Sequence, residues 1–221
     1  MPSLLISFDV AGTVAELVGR SHAQALTDLS PLPAPEVRRI LRDVLGLKTL
    51  PSRDALTPAL VRRTCTALMI DVGDFGFGTV PLAPYRLLDG ARAAVAAAAV
   101  HAPVVLITNT SVFAESCLDP VREGLAPHLT AVHTSWRHGV VKPNPQVFHT
   151  VASHEGVGVE DLVHVGDSWC EDIAPVLELG GRAMWITDDA SSAGDYVGCD
   201  RLVVVRSLDE ATTAMTQRWW A

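Results

Sequence analysis

Six short apolar runs, separated by longer segments of helical character, constrain the fold of this 221-residue chain more than any other feature. The runs are rich in Val, Ile and Leu and lack strict polar–apolar alternation, which is typical of strands buried on both faces. Their alternation with helices predicts an α/β fold, with a parallel sheet covered by helices on both faces. The predicted strands are Leu4–Phe8, Val104–Thr108, Thr130–His133, Leu162–Val165, Ala183–Ile186 and Leu202–Val205.

The stretch between the first two predicted strands departs from this alternation. It carries helical patterns around Pro35–Leu45 and Pro58–Met69 but no convincing buried strand. We therefore expect a small, largely helical insert at residues 15–85, within a core formed by residues 1–14 and 86–221. Outside the insert, the predicted helices are Asp89–Val100, Ser111–Glu123, Pro145–Glu155, Glu171–Leu179 and Ser207–Arg218.

Charge and hydropathy exclude several classes of partner. The formal net charge of -8 argues against a nucleic-acid partner, because nucleic-acid-binding proteins usually present a basic face. A small anionic substrate needs only a local positive site and remains compatible. The Ala-rich run 91–100 contains Arg92 and is too short to span a bilayer. We expect no signal peptide, because the first ten residues have neither a basic region nor a long apolar run. We therefore expect a soluble, cytoplasmic protein without a membrane partner.

Three other residue types give weaker indications. The four cysteines are far apart and lack metal-site or disulfide-scaffold spacing, so we expect reduced thiols. The eight histidines show neither His-x-His nor His-x-x-x-His spacing, which argues against a zinc site. Trp219 and Trp220 form a candidate contact of a homodimer, with coverage of a sheet edge as the simpler interpretation.

Four polar segments follow four of the predicted strands. The carboxyl ends of parallel strands meet at one edge of a sheet, where open α/β folds bind ligands, so we expect these segments to lie together. The first, Phe8–Thr13, places the Asp9 carboxylate in a tight turn. The second, Ile107–Ser111, offers hydroxyls and backbone N–H groups that can cradle a phosphate. Each alone is also typical of an ordinary turn or helix N-cap.

The third and fourth segments add a cation and a group of acids. Lys142, in the third, is one of only two lysines beside fifteen arginines. It could neutralise a phosphoryl group as a point charge, although alone it is compatible with a solvated loop lysine. The fourth runs from a strand into a turn that contains Asp167, Glu171 and Asp172. Such carboxylates are typical Mg²⁺ ligands, with the acidic start of a helix as the alternative.

In their order and spacing, the four segments resemble the motifs of the haloacid dehalogenase-like superfamily of hydrolases. Its pattern is Asp-x-x-x-Thr, then Ser or Thr, then Lys or Arg, then Gly-Asp-x-x-x-x-Asp. The resemblance covers residues 1–14 and 86–221, and the fourth motif is its most specific part. It implies a Rossmann-like catalytic core, in which the insert at 15–85 occupies the place of the superfamily's helical cap domain.

The resemblance also implies a nucleophile and a metal site. Asp9 would attack the substrate and form a covalent adduct. Mg²⁺ would be held by Asp9, by the backbone carbonyl of Ala11 and by Asp167. Asp172 would bind the metal directly or through a water molecule. A metal is physically reasonable here, because an anionic nucleophile meets an anionic substrate only if their repulsion is cancelled.

The remaining implied roles concern the substrate. Thr108 and the backbone N–H of Asn109 would bind the phosphate-like oxygens of a small anionic molecule. Lys142 would offset the negative charge of the nucleophile and of the transferring group. The chain is therefore expected to be a magnesium-dependent phosphatase that acts on a small phosphorylated metabolite through an aspartyl-phosphate intermediate.

One position departs from the pattern of phosphatases in this superfamily. They usually carry a second aspartate two residues after the nucleophile, where this chain has Ala11. That residue protonates the leaving group, and such acid–base help is worth about 10²–10⁴-fold in rate. A phosphatase with Ala11 must obtain the proton from a cap residue or from the substrate itself.

Three alternatives remain open. Phosphonoacetaldehyde hydrolases also have Ala at this position and use a cap lysine as a Schiff base, and Lys48 is the one lysine of the insert. A 2-haloacid dehalogenase is less compatible, because that subgroup needs no metal and the paired acids Asp167 and Asp172 are present here. The last alternative is a non-catalytic binding module that retains the fold.

Overall fold

The fold is built around a parallel β-sheet, seen in a computed structural model that describes residues 4–75, 84–196 and 198–217. Within these residues the strands are β1 (Leu5–Phe8), β2 (Ala15–Leu17), β3 (Tyr85–Leu87), β4 (Val104–Thr108), β5 (Ala131–Thr134), β6 (Leu162–Gly166), β7 (Arg182–Ile186) and β8 (Leu202–Val205). Six of them form one parallel sheet in the order β5-β4-β1-β6-β7-β8. This topology confirms the predicted Rossmann-like α/β core.

Helices flank this sheet and also form a separate group between β2 and β3. That group contains α1 (His22–Leu29), α2 (Ala34–Asp43) and α3 (Pro58–Leu68). The helices that follow β3 are α4 (Ala91–Ala99), α5 (Asp119–Leu125), α6 (Ser135–His138), α7 (Gln146–His154), α8 (Ala174–Glu178) and α9 (Leu208–Gln217). Short 3-10 turns cover Arg53–Ala55, Val72–Asp74, Glu115–Leu118, Ala126–His128, Val159–Asp161 and Ser191–Tyr196, and a π-helical turn covers Trp169–Ile173.

All six predicted strands are present, with ends that differ by at most one residue. In β1, Ile6 and Phe8 pack into the cluster on one face of the sheet, and Leu5 packs into the cluster on the other. Successive side chains of a strand point to opposite faces, so a strand covered on both sides must be apolar throughout. This double burial is why the predicted strands lack polar–apolar alternation.

The helix predicted at Ser111–Glu123 is wrong in its first half. Residues 115–118 form a 3-10 turn, and α5 begins only at Asp119, immediately before Pro120. Proline has no N–H to donate and fits the first turn of a helix, so it marks a start and not an interior position. The helix predicted at Glu171–Leu179 likewise begins as the π-helical turn and becomes α-helical only in α8.

An antiparallel ribbon of β2 and β3 lies at the two ends of the insert, in addition to its expected helices. Glu16 pairs with Arg86 across the ribbon, and the Arg86 guanidinium donates to the Glu16 carboxylate. Each strand has three residues and is only partly buried, too short for a periodic pattern to reveal. The chain leaves the sheet for the group α1–α3 through β2 and returns through β3, so the ribbon pairs these two connections.

Two hydrophobic clusters cover the two faces of the sheet. One face packs mainly against α4 and α9, where small residues such as Ala94 and Ala98 allow the helix to lie close to the strands. The other face packs against α7 and α8, with Phe148, Val151 and Val176 among its buried residues. These interiors hold the strands rigidly, so the loops at the strand ends have a fixed platform.

Helices α1–α3 have a hydrophobic cluster of their own. Thr57 caps the start of α3, because its side chain accepts a hydrogen bond from the Leu60 N–H at 3.2 Å and Pro58 takes the first helical position. The loop that follows β4 contributes Phe113 to this cluster, which links it to the core. The buried helical residues of the cluster are Leu26, Val37, Ile40, Leu41, Cys65 and Leu68.

Some expectations fall outside the described residues. Trp219 and Trp220, the candidate homodimer contact, lie there, as does Arg218 at the end of the last predicted helix. Among the described residues, no helix is long and apolar enough to cross a membrane.

Candidate active site

The strand order places three strand ends side by side. The central strand β1 lies between β4 and β6, and crevices at such reversals of strand order are where open α/β sheets bind ligands. Asp9 follows β1, Thr108 ends β4, and Asp167 follows β6. The loop between α6 and α7 brings Lys142 to the same edge. The structure therefore brings together all four polar segments that the sequence singled out.

Lys142 bridges two carboxylates at this edge. Its Nζ donates to Asp9 Oδ1 and to Asp172 Oδ1, each at 2.5 Å. All three side chains are buried, and Lys142 is only 3% exposed. The Asp9 backbone N–H donates to the Val165 carbonyl at 2.9 Å, so the position of the carboxylate is tied to strand β6. A buried charge is tolerated only when it is paired, and here one cation pairs with two anions.

Burial and the lysine set the protonation of these groups. Burial raises the pKa of Asp9 to about 6, although Lys142 acts in the opposite direction. Burial would also raise the pKa of Asp172, but Lys142 and the hydrogen bond from His164 hold it below its ordinary value. Burial alone would lower the pKa of Lys142, but Asp9 and Asp172 raise it above its ordinary value. The lysine is therefore positively charged and Asp172 is ionised at neutral pH.

Two glycines make room for the acidic side chains. Gly12 has a φ of +91°, and a Cβ built on it would lie 2.4 Å from Asp167 Oδ2. A Cβ on Gly166 would lie 2.4 Å from the Cβ of Asp172. Any larger residue at either position would displace a carboxylate. The Thr13 hydroxyl completes the turn by donating to Asp167 Oδ1 at 3.1 Å.

The same acids suit a divalent cation. Carboxylate oxygens of Asp9, Asp167 and Asp172 all lie within 4.8 Å of one another. Three carboxylates beside the single ammonium of Lys142 leave an excess of negative charge, which a hard dication such as Mg²⁺ would neutralise with the oxygen ligands it prefers. The Ser168 N–H orients Asp172 by donating to its Oδ2 at 3.1 Å. Ala11, whose carbonyl is the other predicted ligand, lines the cavity beside these acids.

Thr108 and Asn109 lie at the end of β4, but the Asn109 side chain has a contact that the sequence did not indicate. Its amide Nδ2 donates to the Lys142 carbonyl at 2.9 Å, and its Oδ1 accepts from the Lys142 N–H at 2.9 Å. This reciprocal pair fixes the backbone that carries the lysine. Nδ2 also donates to Glu171 Oε2 at 3.1 Å. Thr108 is buried, with its hydroxyl 3.3 Å from that of Thr110.

A buried pair behind the acids was also missed from sequence. His164 Nδ1 lies 2.7 Å from Ser7 Oγ, and its Nε2 lies 3.4 Å from Asp172 Oδ1. Burial lowers the pKa of His164, so the ring is neutral and the proton that faces the carboxylate belongs on Nε2. Register pairs Ser7 with His164 across β1 and β6. The sequence did contain a signal for this pair, because Ser7 and His164 are polar residues within the otherwise apolar strands β1 and β6.

A cavity of about 440 Å³ opens above these residues. We call its core side the floor, formed by residues at the strand ends, which are Asp9, Ala11, Thr108, Asn109, Thr110, Ser111, Ala114, Asp167, Ser168, Glu171 and Asp172. We call the opposite side the wall, contributed by the group α1–α3, its loops and β3, which are Ser21, His22, Ala23, Leu47, Lys48 and Tyr85. The structure thus places Lys48, an exposed side chain, in the same cavity as the predicted nucleophile.

Two wall residues have perturbed acid–base properties. Burial raises the pKa of Tyr85, and the negative charge of Asp9 raises it further. The phenol is therefore protonated at neutral pH and lies within electrostatic reach of Asp9. Burial and the positive charge of Arg53 lower the pKa of His22 to about 4. The wall therefore presents a neutral imidazole, a protonated phenol and one lysine to the cavity.

Comparison with known proteins agrees with this geometry. A family model for haloacid dehalogenase-like hydrolases matches residues 4–180. Over 66 residues, the chain is 35% identical to a phosphoserine phosphatase of Thermus thermophilus. That segment is 30% of this chain and 26% of the relative, so only about a quarter of the relative's length is matched.

Two solved structures share the fold. A 2-haloacid dehalogenase of Pseudomonas syringae pv. Tomato aligns with a TM-score of 0.65 and 21% identity over 100% of both chains. An enzyme of the same superfamily from Bacteroides thetaiotaomicron, in complex with magnesium and inorganic phosphate, aligns with a TM-score of 0.58 and 14% identity. The second alignment covers 87% of this chain and 99% of that chain.

Proposed function

Because the chain belongs to the haloacid dehalogenase-like hydrolase family, we propose that it is a magnesium-dependent phosphatase of a small phosphorylated metabolite. The observation that carries this proposal is the buried Asp9 carboxylate, held by Lys142 beside Asp167 and Asp172 on the floor of a cavity. That arrangement supplies a nucleophile, a charge-balancing cation and an oxygen-rich metal site within one crevice. The matched phosphoserine phosphatase and the relative bound to magnesium and phosphate support it.

In the first step, an Asp9 carboxylate oxygen attacks phosphorus and the bond from phosphorus to the ester oxygen breaks. The leaving alcohol takes up one proton, and Asp9 carries the phosphoryl group as an acyl phosphate. In the second step, water attacks phosphorus and returns a proton to the group that protonated the leaving alcohol. The bond from phosphorus to the Asp9 oxygen breaks, which releases inorganic phosphate and restores the Asp9 carboxylate. Thr108 and the Asn109 N–H bind the non-bridging oxygens, while the Lys142 ammonium lowers the electrostatic repulsion.

Magnesium would be held by Asp9, the Ala11 carbonyl and Asp167, with Asp172 as a direct or water-mediated ligand. When bound, it supplies positive charge that favours the approach of an anionic phosphate to an anionic nucleophile. The chain's own contribution is to hold the acids in place. Gly12 and Gly166 leave space for their carboxylates, and Thr13 and His164 form hydrogen bonds to them.

The proton for the leaving group has a candidate source in Tyr85. Ala11 cannot supply it, because its side chain carries no acid. Tyr85 lines the same cavity as Asp9 and is protonated at neutral pH. A phenol is a weaker acid than a carboxylic acid, yet it is acidic enough to protonate an alkoxide that leaves. Tyr85 therefore takes the role that the second aspartate has in other phosphatases of this family.

The wall residues support a cap role for residues 15–85. Helices α1–α3 have their own hydrophobic cluster and are tied to the core through the β2–β3 ribbon and Phe113. They cover the mouth of the cavity with side chains that differ in kind from those of the floor. Lys48 adds a positive charge there, which favours a substrate that carries a second anionic group besides its phosphate.

Lys48 also favours a second candidate function. An amine in the same cavity as the nucleophile, together with Ala11, is the combination expected for phosphonoacetaldehyde-like chemistry. In that reaction the Lys48 amine would condense with the substrate aldehyde and release water. The carbon–phosphorus bond would break as Asp9 accepts the phosphoryl group, with its electron pair passing into the iminium to give an enamine, which is then protonated and hydrolysed to the aldehyde and the free amine. Borohydride trapping of a substrate adduct on Lys48 would separate this chemistry from ester hydrolysis.

The cysteines favour a cytoplasmic location. All four are free thiols in the structure, two of them buried and two at least partly exposed. Free thiols are typical of proteins in reducing compartments. We therefore propose that the enzyme acts in the cytoplasm on a soluble, anionic metabolite.

A substrate screen with and without Mg²⁺ tests the proposal. The panel contains alkyl and aryl phosphate esters, phosphonoacetaldehyde and 2-haloacids. We expect ester hydrolysis that requires Mg²⁺ and that falls on the order of 10⁴-fold in Asp9→Asn. The matched control is Asp209→Asn, an exposed aspartate of α9 outside the cavity, which should retain wild-type turnover.

The other outcomes contradict the proposal in distinct ways. Turnover of 2-haloacids in excess EDTA would favour a dehalogenase. Turnover of phosphonoacetaldehyde alone would favour the Lys48 mechanism. No turnover of any compound, by a folded protein, would favour a binding module.

A further inference from the structure

A second cluster of metal-ligating side chains lies on the edge strand β5 and at the end of α7. None of its residues lines the cavity of the active site. His133 of β5 is buried, His154 is the last residue of α7, and Glu155 follows it. His133 Nε2 and His154 Nδ1 lie 2.9 and 3.0 Å from the same oxygen, Glu155 Oε1. His138, at the end of α6, places its Nε2 3.0 Å from His133 Nδ1.

Ligand atoms of His133, His154 and Glu155 all lie within 4.8 Å of one another. Zinc binds imidazole nitrogen and carboxylate oxygen at about 2.0–2.1 Å, which places neighbouring ligand atoms of a tetrahedral site about 3.3 Å apart. The observed nitrogen–oxygen separations are shorter by only a few tenths of an ångström. A small outward movement of the exposed His154 side chain would therefore open the space for an ion.

The ring protons of His133 and His138 can be arranged to suit both the metal-free and the metal-bound state. Without a metal, the His133 Nε2–H donates to Glu155, and His138 donates to His133 Nδ1. With a metal on Nε2, His133 carries its proton on Nδ1 and donates it to His138 Nε2, and His138 then carries its own proton on Nδ1. Metal-ligating histidines usually have such an outer hydrogen bond.

We propose that His133, His154 and Glu155 form a binding site for a transition-metal dication such as Zn²⁺, with His138 orienting His133. Two imidazoles and one carboxylate are a ligand set that favours zinc and related ions over Mg²⁺. The His154 side chain is 67% exposed, so solvent water can complete the coordination. The site is independent of the proposed phosphatase chemistry.

An ion at this site would affect the segment that carries Lys142. Lys142 lies in the loop between α6 and α7, and the ligands come from the strand before α6 and from the end of α7. A bound ion would therefore join the two ends of the segment that carries Lys142. It would stabilise the folded state, because anything that binds only the folded chain raises the free energy of unfolding.

The proposal is tested by zinc titration of the full-length protein after treatment with EDTA and removal of the chelator. Calorimetry gives the stoichiometry, and the visible spectrum of Co²⁺ in place of Zn²⁺ reports nitrogen coordination. We expect one ion per chain, a higher thermal midpoint on binding, and at least tenfold weaker binding in His154→Ala and Glu155→Gln. His149→Ala, which removes an exposed histidine of the same helix, is the matched control and should bind as the wild type does.

The active-site acids provide an additional comparison. Asp167→Asn should keep the zinc affinity, since it alters only the oxygen-rich cluster. Loss of zinc binding in Asp167→Asn alone, equal affinity in all variants, or no zinc binding by the wild type would each overturn the proposal. Thermal midpoints without metal establish that the variants fold. If Glu155→Gln does not fold, the exposed His154→Ala decides the outcome.

Discussion

The floor and the wall of the cavity differ in how their charges are held. On the floor, Lys142 is 3% exposed and bonded to two buried carboxylates, and backbone and side-chain contacts fix every member. On the wall, Lys48 is exposed, and His22 and Tyr85 are neutral at pH 7. The floor is thus a buried ionic network, whereas the wall is a mixed surface with one exposed cation.

This difference separates two kinds of function. A preorganised network of charges stabilises a transition state, because it need not rearrange when the reaction occurs. On the wall, the exposed Lys48 instead selects the substrate through contacts away from the reacting bond, while Tyr85 supplies the proton for the leaving group. Changes on the floor should therefore alter folding and the chemical step, while changes on the wall should alter binding or proton transfer.

The largest effect is expected for Lys142→Met. Loss of the ammonium leaves the Asp9 and Asp172 carboxylates buried together, and breaking a buried ion pair in this way costs about 3–5 kcal/mol of the free energy of unfolding. Urea denaturation at neutral pH without Mg²⁺ measures this loss, and added Mg²⁺ should restore part of it. Lys48→Met, on the wall, should change stability by less than about 0.5 kcal/mol. Equal losses in the two variants would remove the distinction between floor and wall.

Next in size is Tyr85→Phe. If the phenol protonates the leaving group, kcat for an alkyl phosphate should fall by about 10²-fold, and kcat for an activated aryl phosphate should fall much less. Adding Ala11→Asp to this variant should restore the alkyl phosphate activity. Tyr196→Phe is the matched control, because Tyr196 packs near Trp169 outside the cavity. A uniform loss on both ester types would assign Tyr85 to binding.

A smaller effect is expected for the wall lysine. Lys48→Met should raise KM for an anionic phosphate ester by about tenfold, or about 1.4 kcal/mol, with kcat nearly unchanged. Lys48→Arg, which keeps the charge, should stay close to the wild type. Steady-state kinetics separate the two parameters. Complete loss of activity in Lys48→Arg would instead reveal amine chemistry.

The smallest effect concerns the pH dependence of stability. The pKa of His22 is about 4 in the folded protein and about 6.5 when unfolded, so the unfolded chain binds more protons between these values. This contribution to the free energy of unfolding is fully present above pH 6.5 and is lost as pH falls toward 4. At about pH 5.5 the loss is about 1 kcal/mol. In His22→Gln the difference between pH 7.5 and pH 5.5 should shrink by that amount in urea denaturation; an unchanged difference would contradict it.

Most of the strands and helices of the core could be predicted from the sequence, because the patterns that indicate them lie in neighbouring residues. Strands buried on both faces must be continuously apolar, so all six were predicted to within one residue at each end. The four polar segments were expected to meet because parallel strands end at one edge of a sheet. The short ribbon β2–β3 escaped because three-residue strands carry little periodic signal, and the late start of α5 was missed although Pro120 marks it.

The sequence by itself determined the sheet, the family and the segments that carry the chemistry, because buried strands and motif spacing are recognisable from residues that are close in the sequence. Only the tertiary structure decided which groups touch. The bridge of Lys142 to Asp9 and Asp172, the clamp of Asn109 on Lys142 and the histidine cluster join residues that are far apart in the chain. His133 and His154 are separated by α6, by the loop that carries Lys142 and by nearly all of α7, so no spacing rule could indicate them. Such contacts depend on how helices pack against the sheet, a property of the folded chain as a whole.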